Sequence, residues 1–366
     1  MDNLSYVLTA LLFCVASPLA GERPEAKNAE LVFSVKSCVG EYYSKDVPNG
    51  VETTPAVGAI YRIQADGRGL QKLVQLGKNT DYPTFSPDGK WIYFQSNASG
   101  NSHIYRCTPD GSTVAKLTDG YRLGMQWKDA YGYALAANGR RLLYTVHDGS
   151  SGRVALANFD GSNPRLLFAK LGYTYMGALS PAGDRVVVSG PARGYRLLIA
   201  DLPDGQPQLL TPDHPDCFVP QFTPDGKSLI FIRRDGDIYR IGADGKNLRR
   251  LTLANGYVEF RLSARDRHGS TDGPHVSPDG KRIAYIAIKD GIPNVCVMDI
   301  DGGRQRQITF RKTACGRVRW SPDGKSLAFA SFEGKYSQLF VVAAAGGKPR
   351  QLTQLDGAVY FINWKP

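Results

Sequence analysis

Apolar and polar residues alternate along this chain in short runs, and a tight turn separates each run from the next. The stretch Trp320-Ser321-Pro322-Asp323-Gly324-Lys325-Ser326-Leu327-Ala328-Phe329 shows the unit: an apolar residue, a turn, then an apolar strand. The turn chemistry is specific. Pro322 presets the first central position of a type I turn, Ser321 suits the position before it, and Gly324 accepts the left-handed conformation that follows. The unit reads as a β-hairpin tip. It recurs at Ser86-Pro87-Asp88-Gly89, Thr223-Pro224-Asp225-Gly226 and Ser277-Pro278-Asp279-Gly280. Looser copies are Ala136-Ala137-Asn138-Gly139 and Ser180-Pro181-Ala182-Gly183, and Lys365-Pro366 after Trp364 reads as a copy cut at its turn.

Successive copies start 43 to 54 residues apart. That period in an all-β pattern is the mark of propeller blades. A second turn keeps phase with the first, carrying Gly67, Gly111, Gly161, Gly205, Gly245, Gly302 and Gly346; an Asp precedes the first six, and Ala345 replaces it in the last. Short strands such as Lys116-Leu117-Thr118 and Gln351-Leu352-Thr353 follow. Seven copies of each turn predict a seven-bladed β-propeller of four-stranded antiparallel blades. It forms one domain over residues 30–366. Blade 1 starts at Glu30 without an inner strand of its own, so Val359 to Trp364 is expected to supply it and hide both sheet edges.

This topology sends the two glycine turns of every blade to one face. The links between blades, and the loops between second and third strands, go to the other. Function is expected on the variable-loop face. Two links there are long, Tyr121–Tyr133 and Tyr257–Pro274. They hold Trp127, Tyr131, Arg261, Arg265, Arg267 and His268, and Tyr173, Tyr175, His214, Arg311, Lys312, Arg317 and Tyr360 are expected beside them. Such a mouth reads either as a site for acidic sugars, with Arg forks for carboxylates and flat rings for sugar faces, or as a solvated rim. Two residues before each first turn stand Thr84, Ala134, Ala178, Gln221, His275, Arg319 and Asn363. The polar four are expected to converge in the upper channel, as a site or as mutually bonded groups.

Charge adds to the picture. Lys and Arg exceed Asp and Glu by 11, and the pI is near 9.3. That suits an anionic partner, or serves solubility alone. No nucleic-acid module appears, so nucleic acid is not expected. Val7 to Leu19 is apolar and Ala20-Gly21 are small, so residues 1–20 read as a signal peptide and the protein as periplasmic or secreted. No other run is long enough to span a membrane. Asn97-Ala98-Ser99 is a formal glycosylation sequon. Apart from Cys14 five cysteines remain. Cys107 and Cys296 fall in strand patterns, and one bridge among Cys38, Cys217 and Cys315, placed in loops, stays open.

The stretches Phe85-Ser86-Pro87-Asp88-Gly89-Lys90 and Trp320-Ser321-Pro322-Asp323-Gly324-Lys325 resemble the TolB-like, WD40-like β-propeller repeat family, over nearly all of residues 30–366. TolB itself joins an α/β domain to a six-bladed propeller; here about ten residues lie between signal and blade 1, so the likeness is in the repeat. Prolyl-oligopeptidase-type peptidases share the repeat but need an α/β-hydrolase domain with a G-x-S-x-G elbow, absent here, so peptidase activity is not expected. Pro274-His275-Val276-Ser277-Pro278 is similar in style to oligogalacturonate lyases, seven-bladed propellers with a His- and Gln-built metal site. The histidines here, at 103, 147, 214, 268 and 275, do not cluster toward the C-terminal blade.

Two functions follow. The first is a monomeric scaffold binding a protein or anionic saccharide through the loop face, with no cofactor. The second is a polysaccharide lyase or hydrolase on an anionic glycan. The lyase would use His275 or His268 as base, with Tyr131 as a further candidate. Arg261, Arg265, Arg267, Arg317 and Arg319 would clamp carboxylates, and Trp127, Tyr173 and Tyr175 would bind substrate. Gln221 and His275 would hold a divalent manganese or calcium ion.

Overall fold

The computed structural model describes residues 29–37, 57–119, 123, 127–147, 152–190, 194–253, 259–260, 270–271 and 273–366. They form seven four-stranded antiparallel sheets and no helix. The inner strands are Ala358–Trp364, Thr80–Phe85, Asp129–Leu135, Tyr175–Leu179, Cys217–Phe222, His275–Val276 and Cys315–Trp320, for blades 1 to 7 in turn. Blade 1 is closed as expected: Ala358–Trp364 pairs with Glu30–Ser37, which pairs with Val57–Gln64. Lys365 N adds a bond to the Glu30 carbonyl at 2.8 Å.

The first turn is uniform because its chemistry is local. Gly89, Gly139, Gly183, Gly226, Gly280 and Gly324 all have φ between 65° and 70°, where a Cβ would strain the chain. In the four full copies the turn Asp accepts the hydroxyl of the first residue and the N–H of the residue after glycine; Ser321 Oγ to Asp323 Oδ1 is 2.6 Å and Lys325 N to the same oxygen is 3.0 Å. The Leu-Thr and Ile-Thr pairs of the outer strands also have a reason. Thr118, Thr211, Thr252, Thr309 and Thr353 each accept, at 2.9–3.0 Å, the N–H of a residue early in the third strand.

The core sits between blades. Seven apolar clusters each join two neighbouring sheets, and together they run once around the ring. Phe33, Phe94, Phe231 and Phe329 are fully buried in them. Each is worth about 2–3 kcal/mol in apolar transfer, so closure is driven by side-chain burial as well as by strand pairing.

Three expectations change. Cys217 and Cys315 are not in loops. They begin inner strands, are buried, and are free thiols, so no bridge joins them. Cys38, residues 1–20, Arg261, Arg265, Arg267 and His268 lie outside the described residues. Tyr131 belongs to the blade 3 inner strand and faces Thr145 in its register, because that strand begins at Asp129 inside the expected link. The other long link contains a two-stranded hairpin, Glu259–Phe260 with Ser270–Thr271.

Candidate functional site

The polar ring at the axis is a set of stitches between blades. Gln221 Oε1 accepts the N–H of Val276 on the next blade at 3.1 Å. His275 Nδ1 accepts Trp320 N–H at 3.2 Å, and Asn363 Oδ1 accepts Phe85 N–H at 3.0 Å. Each acceptor reaches the residue that follows the next ring position. Arg319 cannot accept; it donates Nη1 to the Val318 carbonyl at 2.7 Å, and its own carbonyl takes Trp364 Nε1–H at 3.1 Å. Trp320 Nε1–H likewise reaches the His275 carbonyl at 2.9 Å. The ring sits at the turn end of the inner strands, not in the upper channel, since each member lies one residue before its strand meets the turn.

These bonds fix the chemistry of His275. Its Nδ1 lone pair is committed to an N–H, so the ring proton is on Nε2. Burial, reinforced by the Arg319 guanidinium, pushes the imidazolium pKa down to about 3. The imidazole is therefore neutral near pH 7, with neither nitrogen presenting a lone pair for a substrate proton. The donors considered for a metal, Gln221 Oε1 and His275 Nδ1, each hold a backbone N–H. Among the described residues no group of three or more His, Cys, Asp or Glu is placed to hold an ion.

A second cluster stands higher in the channel, on the loop side of blades 7, 1 and 2. The Arg317 guanidinium lies 4.3 Å from the Tyr360 ring centroid and 4.2 Å from that of Phe361. The rings of Tyr82 and Phe361 also pack together, with centroids 3.7 Å apart. Lys36 Nζ is 2.6 Å from the buried Asp81 carboxylate and 5.2 Å over the Tyr360 ring. The Tyr133 hydroxyl donates to the carbonyls of Tyr82 and of Tyr93, the latter at 2.9 Å. Burial and then the Asp81 charge push the Tyr82 phenol upward, so it stays protonated.

A backbone irregularity aims these side chains. The inner strands carry bulges between Asp81 and Thr84, Tyr131 and Ala134, Phe218 and Gln221, and Gly316 and Arg319. The same bulge position holds Tyr82, Gly132, Val219 and Arg317, with φ of 58°, 57°, 50° and 60°. Only one of the four is glycine. Left-handed Tyr, Val and Arg are sparse conformations that concentrate at ligand clamps and similar sites. The sequence carries no sign of them, because a non-glycine residue does not announce a positive φ.

Other expected rim residues separate. Trp127 is 6% exposed, packed 5.5 Å from the His103 ring, so its faces are within the core and not open to a sugar. Tyr173 meets Tyr195 at 6.0 Å, and Tyr195 meets Phe218 at 5.2 Å, forming an aromatic row apart from Arg317. The Tyr131 ring lies 6.5 Å from His147. Tyr175 is in the blade 4 inner strand. Arg311 is bound to Glu333 at 2.7 Å and to Ser331 Oγ at 2.8 Å. Sequence reasoning missed Phe310 and Leu253, which stand early in links between blades and are 79% and 74% exposed, the highest values among the large apolar residues described.

Residues 270–366 match the family model described as the TolB beta propeller domain. An uncharacterised protein of Agrobacterium fabrum is 30% identical over 163 residues, 42% of this chain and 46% of that protein. The Tol-Pal system protein TolB of Francisella tularensis is 24% identical over 255 residues, 67% of this chain and 55% of that one. The chain thus spans about half the length of these relatives. A solved oligogalacturonate lyase in complex with manganese aligns with a TM-score of 0.58 over 73% of this chain and 75% of its own, at 17% identity, which is a likeness of fold.

Proposed function

We propose that this chain, a TolB-like β-propeller, is an exported scaffold that binds a protein partner through its loop face and does no chemistry there. The observation that carries this reading is the exposure of Phe310 and Leu253 on the links that flank blade 6, with Ile288 at 45% near the loop end of the second strand of blade 6. Large apolar side chains set among charged neighbours are what a protein interface needs at its centre. At the mouth, Phe361 and Tyr82 stacked beside the buried Arg317 add aromatic surface. Periplasmic placement draws on the apolar run Val7 to Leu19 and on relatives named as Tol-Pal system proteins. Binding is favoured over lyase chemistry because His275, the leading base candidate, has its acceptor nitrogen in a stitch.

The test couples capture with chemistry. Envelope extract is crosslinked to the purified protein and to a Phe310→Asp, Leu253→Asp variant, and recovered proteins are purified and rebound as pairs. A partner that rebinds the wild type and not the variant supports the scaffold. In parallel the protein is incubated with oligogalacturonates, with and without manganese. A rise in ultraviolet absorbance from an unsaturated uronate, lost in His275→Ala, would overturn the non-catalytic reading.

A further inference from the structure

The turn face carries a cavity that the loop-face reading does not use. It has a volume of about 560 Å³ and is lined by Arg185 of blade 4, Lys227, Arg240, Asp244 and Arg249 of blade 5, and Asp301 of blade 6. Part of its wall is held in place. Arg185 donates Nη2 to the Gly226 carbonyl at 2.6 Å and packs 5.8 Å from the Phe222 ring centroid. Arg240 donates Nη2 to the buried Ser228 Oγ at 3.1 Å. Lys227 and Arg249 are exposed, and neither forms an ion pair among the described residues. Four cations face two carboxylates, so the concave surface concentrates positive potential.

We propose that this cavity docks an acidic segment of a partner polypeptide. Three of the four cations are arginines, whose planar forks pair carboxylates bidentately. No aromatic side chain lines the cavity, so it lacks the flat faces that hold sugar rings and nucleobases. Asp244 and Asp301 stand among the cations. The Gly303 N–H helps hold the Asp301 carboxyl below the usual range, so it is charged. Two fixed negative charges repel a uniformly dense polyanion, whereas a polypeptide can meet them with backbone N–H groups. A flat anionic lipid surface would need cations that project, and these line a hollow.

The full chain is titrated with a fluorescein-labelled oligo-glutamate peptide, read by anisotropy at low and raised salt. Binding is expected at low salt and weakens as salt screens the exposed charges. Lys227→Glu with Arg249→Glu should weaken it about tenfold or more, while Lys128→Glu on the loop face leaves it within about twofold. Both changed side chains are exposed, and an unchanged melting temperature verifies the fold. Absence of peptide binding at low salt overturns the proposal. Equal loss in Lys128→Glu also does, since the effect would then be net charge alone. So does tighter binding of a heparin fragment or of phosphatidylserine vesicles that the same double variant abolishes.

Discussion

The turn face and the loop face grow from the same four-strand repeat, yet they spend their charges differently. On the turn face the aspartates are used up locally. Asp88, Asp225, Asp279 and Asp323 hold the hydroxyls and N–H groups of their own turns. The residue after the turn glycine is a cation in Lys90, Arg140, Lys227, Lys281 and Lys325, with Asp184 the exception in blade 4. On the loop face the ionic groups pair across loops. Lys36 meets Asp81 at 2.6 Å, Arg311 meets Glu333 at 2.7 Å, and Arg234 meets Asp216 at 3.5 Å. Among the described residues the two most exposed large apolar side chains, Phe310 and Leu253, stand on the loop face, while the turn face repeats a cation after five of its six turn glycines. Long variable loops are therefore not the sole place to look for a partner; a repeated turn multiplies whatever side chain its last position carries.

The largest effect tests what both faces share. Deleting Ala358 to Pro366 removes the inner strand of blade 1 and the partner of Glu30–Ser37. It also removes Val359, Tyr360, Ile362 and Trp364 from the core between blades 7 and 1. The variant is expected to aggregate or to lose cooperative unfolding by calorimetry, because two unpaired edges and an apolar cluster are exposed together. A melt like that of the wild type would mean the ring does not depend on this closure.

The next effect sits on the loop side. Arg317 is 3% exposed and packed over two rings, so Arg317→Ala should cost about 2–4 kcal/mol in denaturant unfolding. Its φ of 60° gives a sharper check. Glycine accepts that conformation and alanine does not, so Arg317→Gly should be more stable than Arg317→Ala by about 1 kcal/mol, although it removes more atoms. Blade 3 already has Gly132 at the equivalent place. The reverse order would remove backbone strain from the account of the mouth.

The blade count and the closure could be read from the sequence because they rest on local rules. Proline fixes φ, glycine tolerates the left-handed region, and both turns repeat in phase. The site could be read only in part. Gln221, His275, Arg319 and Asn363 were marked by position, but their partners are on the next blade, 45 or more residues away or across the chain ends, and no local rule supplies that. Trp127 reads as a rim residue because it stands in an expected loop, yet it is buried against His103, since an indole gains more from burial than from solvent. Tyr82 and Arg317 owe their directions to bulges, which neither residue type signals.

A smaller effect probes the axis between the faces. His275 is neutral in the fold, with a pKa near 3, and ordinary near 6.5 when unfolded. Its contribution to stability is fully present above about pH 6.5. It falls as pH drops toward 3, because the unfolded chain then binds a proton that the folded chain refuses. Gln221 makes the same stitch on the neighbouring blade, so His275→Gln should keep the bond to Trp320 and lose the titration. Between pH 7 and pH 4 the wild type should lose about 3 kcal/mol more than the variant. Parallel curves would mean the imidazole is open to protons in the fold, and His275 would return as a base candidate.

The smallest effect on stability separates binding from folding. Phe310 and Leu253 are the most exposed large apolar side chains described, so Phe310→Ala and Leu253→Ala remove little buried area. Each should shift unfolding by no more than about 0.5 kcal/mol, the usual range for surface positions. If the loop face is a protein interface, the same changes should each weaken a rebinding partner about tenfold or more, since exposed apolar anchors contribute most where water is excluded. On the turn face, Lys227→Ala should leave that partner's affinity within about twofold, because a distant rim charge alters association little once salt screens it. Loss of that loop-face partner in Lys227→Ala, with no effect of Phe310→Ala, would overturn the loop face as its interface.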